Sequence, residues 1–234
     1  MIPVVSFPKS GRTWLRYAAH RAGLEPEFTH AGHPSCPPEE IGLPFKGIPD
    51  DLKDTPVIFL HRNPIDTAVS YYFQLFHKDL IVGRKNWRKL YQMDPDRMPP
   101  QDINQFVLHP NYGIKLILDY NRAWVDHLET VPNAVVLCYE DFHADPVGSF
   151  RKFFTALGHP EVDAARIARR STFENMKKIQ AGSKGHSWRL VQPFKDDPEG
   201  AKVRKGKVKG YVDYLDRRTA KECRKFCGKY GIKA

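Results

Sequence analysis

Val4-Val5-Ser6-Phe7-Pro8-Lys9-Ser10-Gly11-Arg12-Thr13-Trp14 is the stretch whose reading decides the fold. A short apolar, β-branched run stops at Pro8. A Lys-Ser-Gly turn follows, and a helical pattern opens with Thr13, Trp14, Leu15 and Tyr17. A strand, a small-residue turn and a helix in that order aim unpaired backbone N–H groups at a bound phosphate. Lys9 adds a point charge, and Ser10 and Thr13 add hydroxyl donors. The pattern is not the common nucleotide loop G-x-x-x-x-G-K-[ST]. No glycine lies upstream, and Lys9 precedes Gly11 instead of following it. An ordinary ATPase or GTPase is disfavoured, and a phosphorylated ligand is still expected.

Two further segments point the same way. Val57-Ile58-Phe59-Leu60-His61 reads as a second buried strand, and Asn63-Pro64 suits the N-cap and first position of a helix. Arg62 then stands at the C-terminal end of a strand, where open α/β sheets bind ligands. Ser70 follows about two turns down that helix. Arg204-Lys205-Gly206-Lys207 lies in a loop rich in glycine and lysine.

In chain order these segments resemble the sulfotransferases that use 3′-phosphoadenosine 5′-phosphosulfate (PAPS). Pro8-Lys9-Ser10-Gly11-x-Thr13-Trp14 resembles that family's 5′-phosphosulfate loop, with Arg12 at the open position. Arg62-Asn63-Pro64-x-Asp66-x-x-Val69-Ser70-x-Tyr72 resembles its 3′-phosphate motif, and Arg204-Lys205-Gly206 its C-terminal clamp on the same phosphate. Tyr139-Glu140-Asp141 and Ser171-Thr172-Phe173-Glu174-Asn175-Met176 fall where the family places adenosine contacts. The resemblance implies a sulfonate transferred from PAPS to an acceptor hydroxyl or amine, with 3′-phosphoadenosine 5′-phosphate (PAP) as product and no metal. It implies that Lys9 meets the charge developing on the leaving phosphate. Ser10, Gly11, Arg12 and Thr13 would line the 5′ side, Arg62, Ser70, Arg204, Lys205 and Gly206 the 3′-phosphate. Trp14, Tyr139 and Phe173 would lie about the adenosine, with core packing as the other explanation of Trp14. The family's base is a histidine in a Lys-Thr-His segment. Phe28-Thr29-His30 keeps the last two positions, so His30 is the candidate base and His33 the second choice.

The rest of the chain agrees with an α/β fold. Strands are expected at 3–7, 57–61 and 134–138, and helices at 11–23, 64–77, 111–130, 146–157, 161–170 and 217–230. Alternating strands and helices imply a mainly parallel central sheet with flanking helices. The 234 residues suit a single sulfotransferase domain over 1–234. Long loops at 28–50, 73–100 and 181–200 are expected to shape the pocket of a small-molecule acceptor.

Lys and Arg number 37 against 27 Asp and Glu, so the protein should attract anions. The basic residues are spread along the chain, which argues against a nucleic-acid arm. No apolar run approaches the ~20 residues that span a bilayer, and no leader pattern opens the chain. A cytoplasmic enzyme without a membrane partner is expected; the oligomeric state is open. The four cysteines form no disulfide framework. His30, His33 and Cys36 have metal-ligating side chains, but Pro34 and Pro37 break any helix that would align them. Two other functions fit parts of the pattern. A kinase-like phosphotransferase would use Glu140 or Asp141 for Mg²⁺ but leaves Arg62 and Arg204 idle. A non-catalytic polyanion or nucleic-acid binder would use the net charge and Tyr71-Tyr72-Phe73.

Overall fold

The computed structural model describes residues 2–34, 42–79, 94–182 and 206–232. In chain order its elements are β1 (Val4–Ser6), α1 (Arg12–Arg21), β2 (Phe28–Thr29), β3 (Ile58–His61), α2 (Pro64–Phe73), α3 (Ile103–Leu108) and α4 (Ile114–Leu128). They continue with β4 (Val135–Cys138), α5 (Asp141–Ala144), α6 (Pro146–Ala156), α7 (Ala164–Arg170), α8 (Phe173–Gly182) and α9 (Arg217–Lys229). The chain divides into two compact units: Met1–His30, Asp50–Arg62 and Val125–Gly206 form the first, and Ala31–Pro49, Asn63–Trp124 and Lys207–Ala234 the second.

The first unit holds the sheet. Its four strands run in the order β2-β1-β3-β4, and every pairing is parallel. The register sets Val5 beside Phe59 and Leu60 beside Leu137. Parallel strands covered on both faces read as continuous apolar runs, which is why β1 and β3 are legible in the sequence. Val4, Ile58, Leu60 and Leu137 meet Leu15 and Ala18 of α1, Phe150, Phe153 and Phe154 of α6, and Ile167 of α7 in one core. From β1 the chain steps to β2 on one side, and β3 and β4 lie on the other. Sheets with such a change of direction bind their ligands outside the carboxyl ends of the strands on either side of it, here β1 and β3.

The second unit is helical. Asn63 caps α2 by accepting from the N–H groups of Ile65 at 3.0 Å and Asp66 at 3.2 Å, with Pro64 at the first position, as the sequence predicts. Tyr71 and Tyr72 of α2 pack on Phe106 of α3, with ring centroids 6.1 and 5.3 Å apart. Of Tyr71-Tyr72-Phe73, Tyr71 and Phe73 are therefore core and Tyr72 is half-buried. Cys223 and Cys227, four apart on α9, are also fully buried and act as packing thiols.

Several expectations change. β2 escapes the sequence because two residues carry no periodicity. The helix expected at 64–77 is α-helical only to Phe73 and continues as a π-type turn over Gln74–Asp79. The helix expected from 161 starts at Ala164, because the Asp163 carboxylate caps the Arg166 N–H at 2.9 Å. Short α3 and α5 and the longer α8 were not foreseen; the first has its own cap, Asp102 on the Gln105 N–H at 2.9 Å. Among the described residues no helix is long and apolar enough to cross a membrane.

Candidate active site

Four strand ends of the first unit deliver the expected chemistry. Lys9 follows β1, His30 follows β2, Arg62 follows β3 and Tyr139 follows β4. Parallel pairing puts all four carboxyl ends on one edge of the sheet.

The loop after β1 is bent through two positive-φ positions on either side of Ser10. Lys9 has φ 72, a left-handed conformation that side chains larger than glycine rarely adopt. Gly11 has φ 100, and a Cβ there would run into the Tyr139 ring. Gly11 is the N-cap of α1 and, having no side chain, makes no capping bond of its own to that first turn. A helix start without a side-chain cap at its N-cap residue suits an anionic acceptor. Ser10 is 1% exposed, and its Oγ has no hydrogen-bond partner among the described residues. Buried Ser6 Oγ and Trp14 Nε1 are in the same condition. Buried donors without partners are costly unless a ligand satisfies them. Uncapped amides, orphaned hydroxyls and Lys9 form a donor set that fits an anionic phosphate group.

Arg62 joins this loop to the end of β4. Its Nη1 donates to the Lys9 carbonyl at 3.3 Å, and its Cζ lies 4.4 Å from the Tyr139 ring centroid. Trp14 is packed among Tyr139, Phe142, His143 and Phe150, with centroids 5.1 to 5.9 Å away. Its ring is chiefly a packing element here. Phe173 opens α8, and Gly206 sits on its ring: with φ 58, a Cβ at 206 would strike Phe173. Arg204 and Lys205 lie outside the described residues. Ser70 belongs to the second unit, where it is buried in α2.

The two histidines fall in different environments. His30 Nδ1 lies 2.6 Å from the Ser6 carbonyl oxygen. A carbonyl only accepts, so Nδ1 carries the proton and the neutral ring keeps its lone pair on Nε2. Burial pushes the His30 pKa down to about 3; Arg12 adds to this, the bond to Ser6 opposes it, and Arg16 adds a smaller push. His30 is therefore neutral at physiological pH, as a proton acceptor must be. His33 belongs to the second unit, buried edge-on to Tyr71 at 5.5 Å and Tyr120 at 6.4 Å. Cys36, the third residue of the considered metal pattern, lies outside the described residues.

The sulfotransferase domain pattern matches residues 38–231. The chain belongs to the sulfotransferase family. It is similar to flavonol 3-sulfotransferase of Flaveria bidentis, 24% identical over 226 residues, covering 78% of this chain and 66% of that protein. It is similar also to flavonol 4'-sulfotransferase of Flaveria chlorifolia, 23% identical over 252 residues, 92% of this chain and 74% of that one. The chain thus spans about two thirds of the length of the first relative. Its fold is like that of mouse sulfotransferase SULT7A1 crystallised with PAP, with a TM-score of 0.63 and 20% identity over all of this chain and 85% of that one.

The matched span begins after the loop at 7–11, so that loop is assigned from its own residues and its place at the end of β1. His143 and Arg16 of the first unit had no role in the sequence reading. His143 packs on Trp14 at 5.1 Å and on Tyr139 at 4.8 Å; its position four residues after Tyr139 was the available signal. Arg16 lays its guanidinium 4.9 Å over Phe28, the residue at which this sequence departs from the expected Lys-Thr-His segment. Asp66 was visible in the motif without a chemical reason. Glu140, considered for Mg²⁺, accepts from the Cys138 thiol at 3.1 Å.

Proposed function

We propose that residues 1–234 act as one sulfotransferase domain that moves a sulfonate from PAPS to a hydroxyl or amine of a small-molecule acceptor. The observation that carries this is the strained, uncapped loop after β1, with Arg62 bonded to its Lys9 carbonyl at 3.3 Å. PAPS brings an activated sulfonate on a good leaving group, so the chain's residues need only orient it and stabilise charge. The N–H groups of Gly11, Arg12 and Thr13, with Ser10 and Lys9, would hold the 5′ side. Arg62 and the backbone at Gly206 would favour a 3′-phosphate, and Ser70 is the matching hydroxyl of the motif. Tyr139 and Phe173 would border the adenosine.

His30 Nε2 would take the proton of the acceptor. The acceptor oxygen forms its bond to sulfur as the bond from sulfur to the leaving phosphate oxygen breaks. The electron pair stays on that phosphate oxygen, which Lys9 and the start of α1 meet. In-line transfer of this kind calls for no metal. Flavonols, named by the relatives' activities, are the first acceptors to test.

Calorimetric titration with PAP and with 5′-AMP tests the donor, and PAP release in an acceptor screen tests the reaction. PAP should bind at least tenfold more tightly than 5′-AMP; equal affinity refutes PAPS as donor. On an aliphatic alcohol acceptor, His30→Ala should lower kcat by ~10²–10⁴ with PAP affinity nearly kept. Full loss in His33→Ala with His30→Ala active would move the base to His33.

A further inference from the structure

Every exposed residue of α9 except Gly228 is a cation: Arg217, Arg218, Lys221, Arg224, Lys225 and Lys229. At ~100° per residue they share an arc of about 140°, and buried Thr219, Ala220, Cys223 and Cys227 hold the opposite side. That buried side packs on α2 and α3, all within the second unit. Little on the helix offsets the charge. The Asp216 carboxylate caps the Thr219 N–H at 2.7 Å, and Glu222 pairs with Lys225 at 3.1 Å. Among the described residues, Arg217, Arg218, Lys221 and Arg224 form no ion pair. Like charges one turn apart repel, and an external anionic surface relieves that repulsion. The neighbouring turn at Gly210–Asp213 adds an apolar tip. Val212 is 56% exposed, and with Leu108 it makes up the large apolar side chains left exposed among the described residues. Leu108 ends α3, and Asn104 of the same helix accepts from the Asp216 N–H at 3.1 Å, so both apolar residues lie on segments joined to the start of α9.

We infer that α9 is a docking face for an anionic lipid surface. Clusters of roughly four to eight Lys and Arg on an amphipathic helix are drawn to acidic headgroups. The 13 residues of α9 spread their cations over about 20 Å, given ~1.5 Å of rise per residue. The apolar side of α9 is already covered by α2 and α3, so the helix rests on the headgroups and does not insert. Charge carries the contact, and Val212 supplies an apolar one beside it. A single-stranded nucleic acid would call for rings between the cations, and α9 exposes none. This docking is independent of the donor and acceptor of the reaction. It replaces the expectation of no membrane partner with a peripheral one.

The test is co-sedimentation of the full chain with vesicles. One set is phosphatidylcholine alone, and the other carries about 30% phosphatidylserine. The protein should sediment with the second set only. Salt near ~1 M, which screens charges beyond ~3 Å, should release most of it. The variant Lys221→Gln/Arg224→Gln/Lys225→Gln removes three cations of the face and keeps good helix formers. It should lose roughly tenfold or more in affinity for the charged vesicles. Arg166→Gln/Arg169→Gln/Arg170→Gln on α7 of the first unit lowers the net charge equally and should bind like wild type. Thermal melts check that both variants fold; should the first not fold, Lys221→Gln/Arg224→Gln is read in its place. No partition onto the charged vesicles, an equal loss in the α7 variant, or tighter binding of a DNA duplex than of the vesicles would each overturn the proposal.

Discussion

Arg62 lies with its guanidinium 4.4 Å over the ring of Tyr139. The same group donates to the Lys9 carbonyl, so one side chain after β3 spans the loop after β1 and the residue after β4. Cation over ring and cation to carbonyl both favour arginine, whose flat fork can stack and donate at once. Arg62→Ala should weaken PAP at least tenfold, the equivalent of a charged hydrogen bond worth ~1.5–3 kcal/mol. Arg62→Lys should recover only part of that, because an ammonium cannot reproduce the stacked fork. Calorimetry on the two variants decides it; full recovery with lysine would mean that charge alone matters.

Gly11 combines φ 100 with a ring where a Cβ would stand. Gly11→Ala must shift Tyr139 or the loop. The left-handed backbone and the clash together should cost about 1–3 kcal/mol in thermal or urea unfolding. PAP affinity should fall more than stability alone explains, because Tyr139 carries Arg62.

His30 should become more basic when PAP binds. Burial lowers its pKa first, and the field of Arg12 adds to that. A phosphate group beside α1 offsets the arginine field without exposing the ring. The ring titration followed by NMR should therefore move up from about 3 on saturation with PAP. Arg12→Ala should raise the free-protein value and shrink the shift caused by PAP. A fall on PAP binding would contradict Arg12 as the coupling charge.

Acid should destabilise the fold through the same ring. The folded His30 binds its proton near pH 3, whereas the unfolded side chain binds near 6.5. Between those values the unfolded chain holds more protons, so stability is full above pH 6.5 and falls as pH falls toward 3. The contribution is on the order of a few kcal/mol across the window. His61 and His143 are also pushed down, chiefly by burial, and act in the same direction. His30→Gln, which can still donate to the Ser6 carbonyl, should flatten part of the slope of melting temperature against pH between 3 and 6.5. An unchanged slope would show that His30 titrates normally.

Local signals carry far in this chain. The runs at 57–61 and 134–138 are apolar on both faces and bounded by turns, so β3 and β4 are legible within a residue of their ends. Asn63-Pro64 announces α2 because a cap and a fixed φ act within one turn. The loop at 7–11 is legible because Pro8 ends the strand and Gly11 permits the turn into α1. β2 and α5 are too short for any period to emerge, and only pairing and packing create them.

From its sequence alone the protein was determined to be an α/β chain with a strand, a Lys-Ser-Gly turn and a helix at its start, an arginine at a strand end and a histidine before the second long strand. Those are properties of contiguous residues, and short-range sterics and hydrogen bonding settle them. Only the tertiary structure decided that Arg62 bonds the Lys9 carbonyl and stacks on Tyr139, and that Ser6 fixes the proton of His30 on Nδ1. It alone decided that Asp66 holds the amides of Lys209 and Tyr211. Each of these joins groups that parallel strand order or a return of the chain brings together from 24 to 145 residues apart. No local pattern encodes such a pair, because its energy is gained only after the sheet and the helices have paid the entropy of closing the intervening chain.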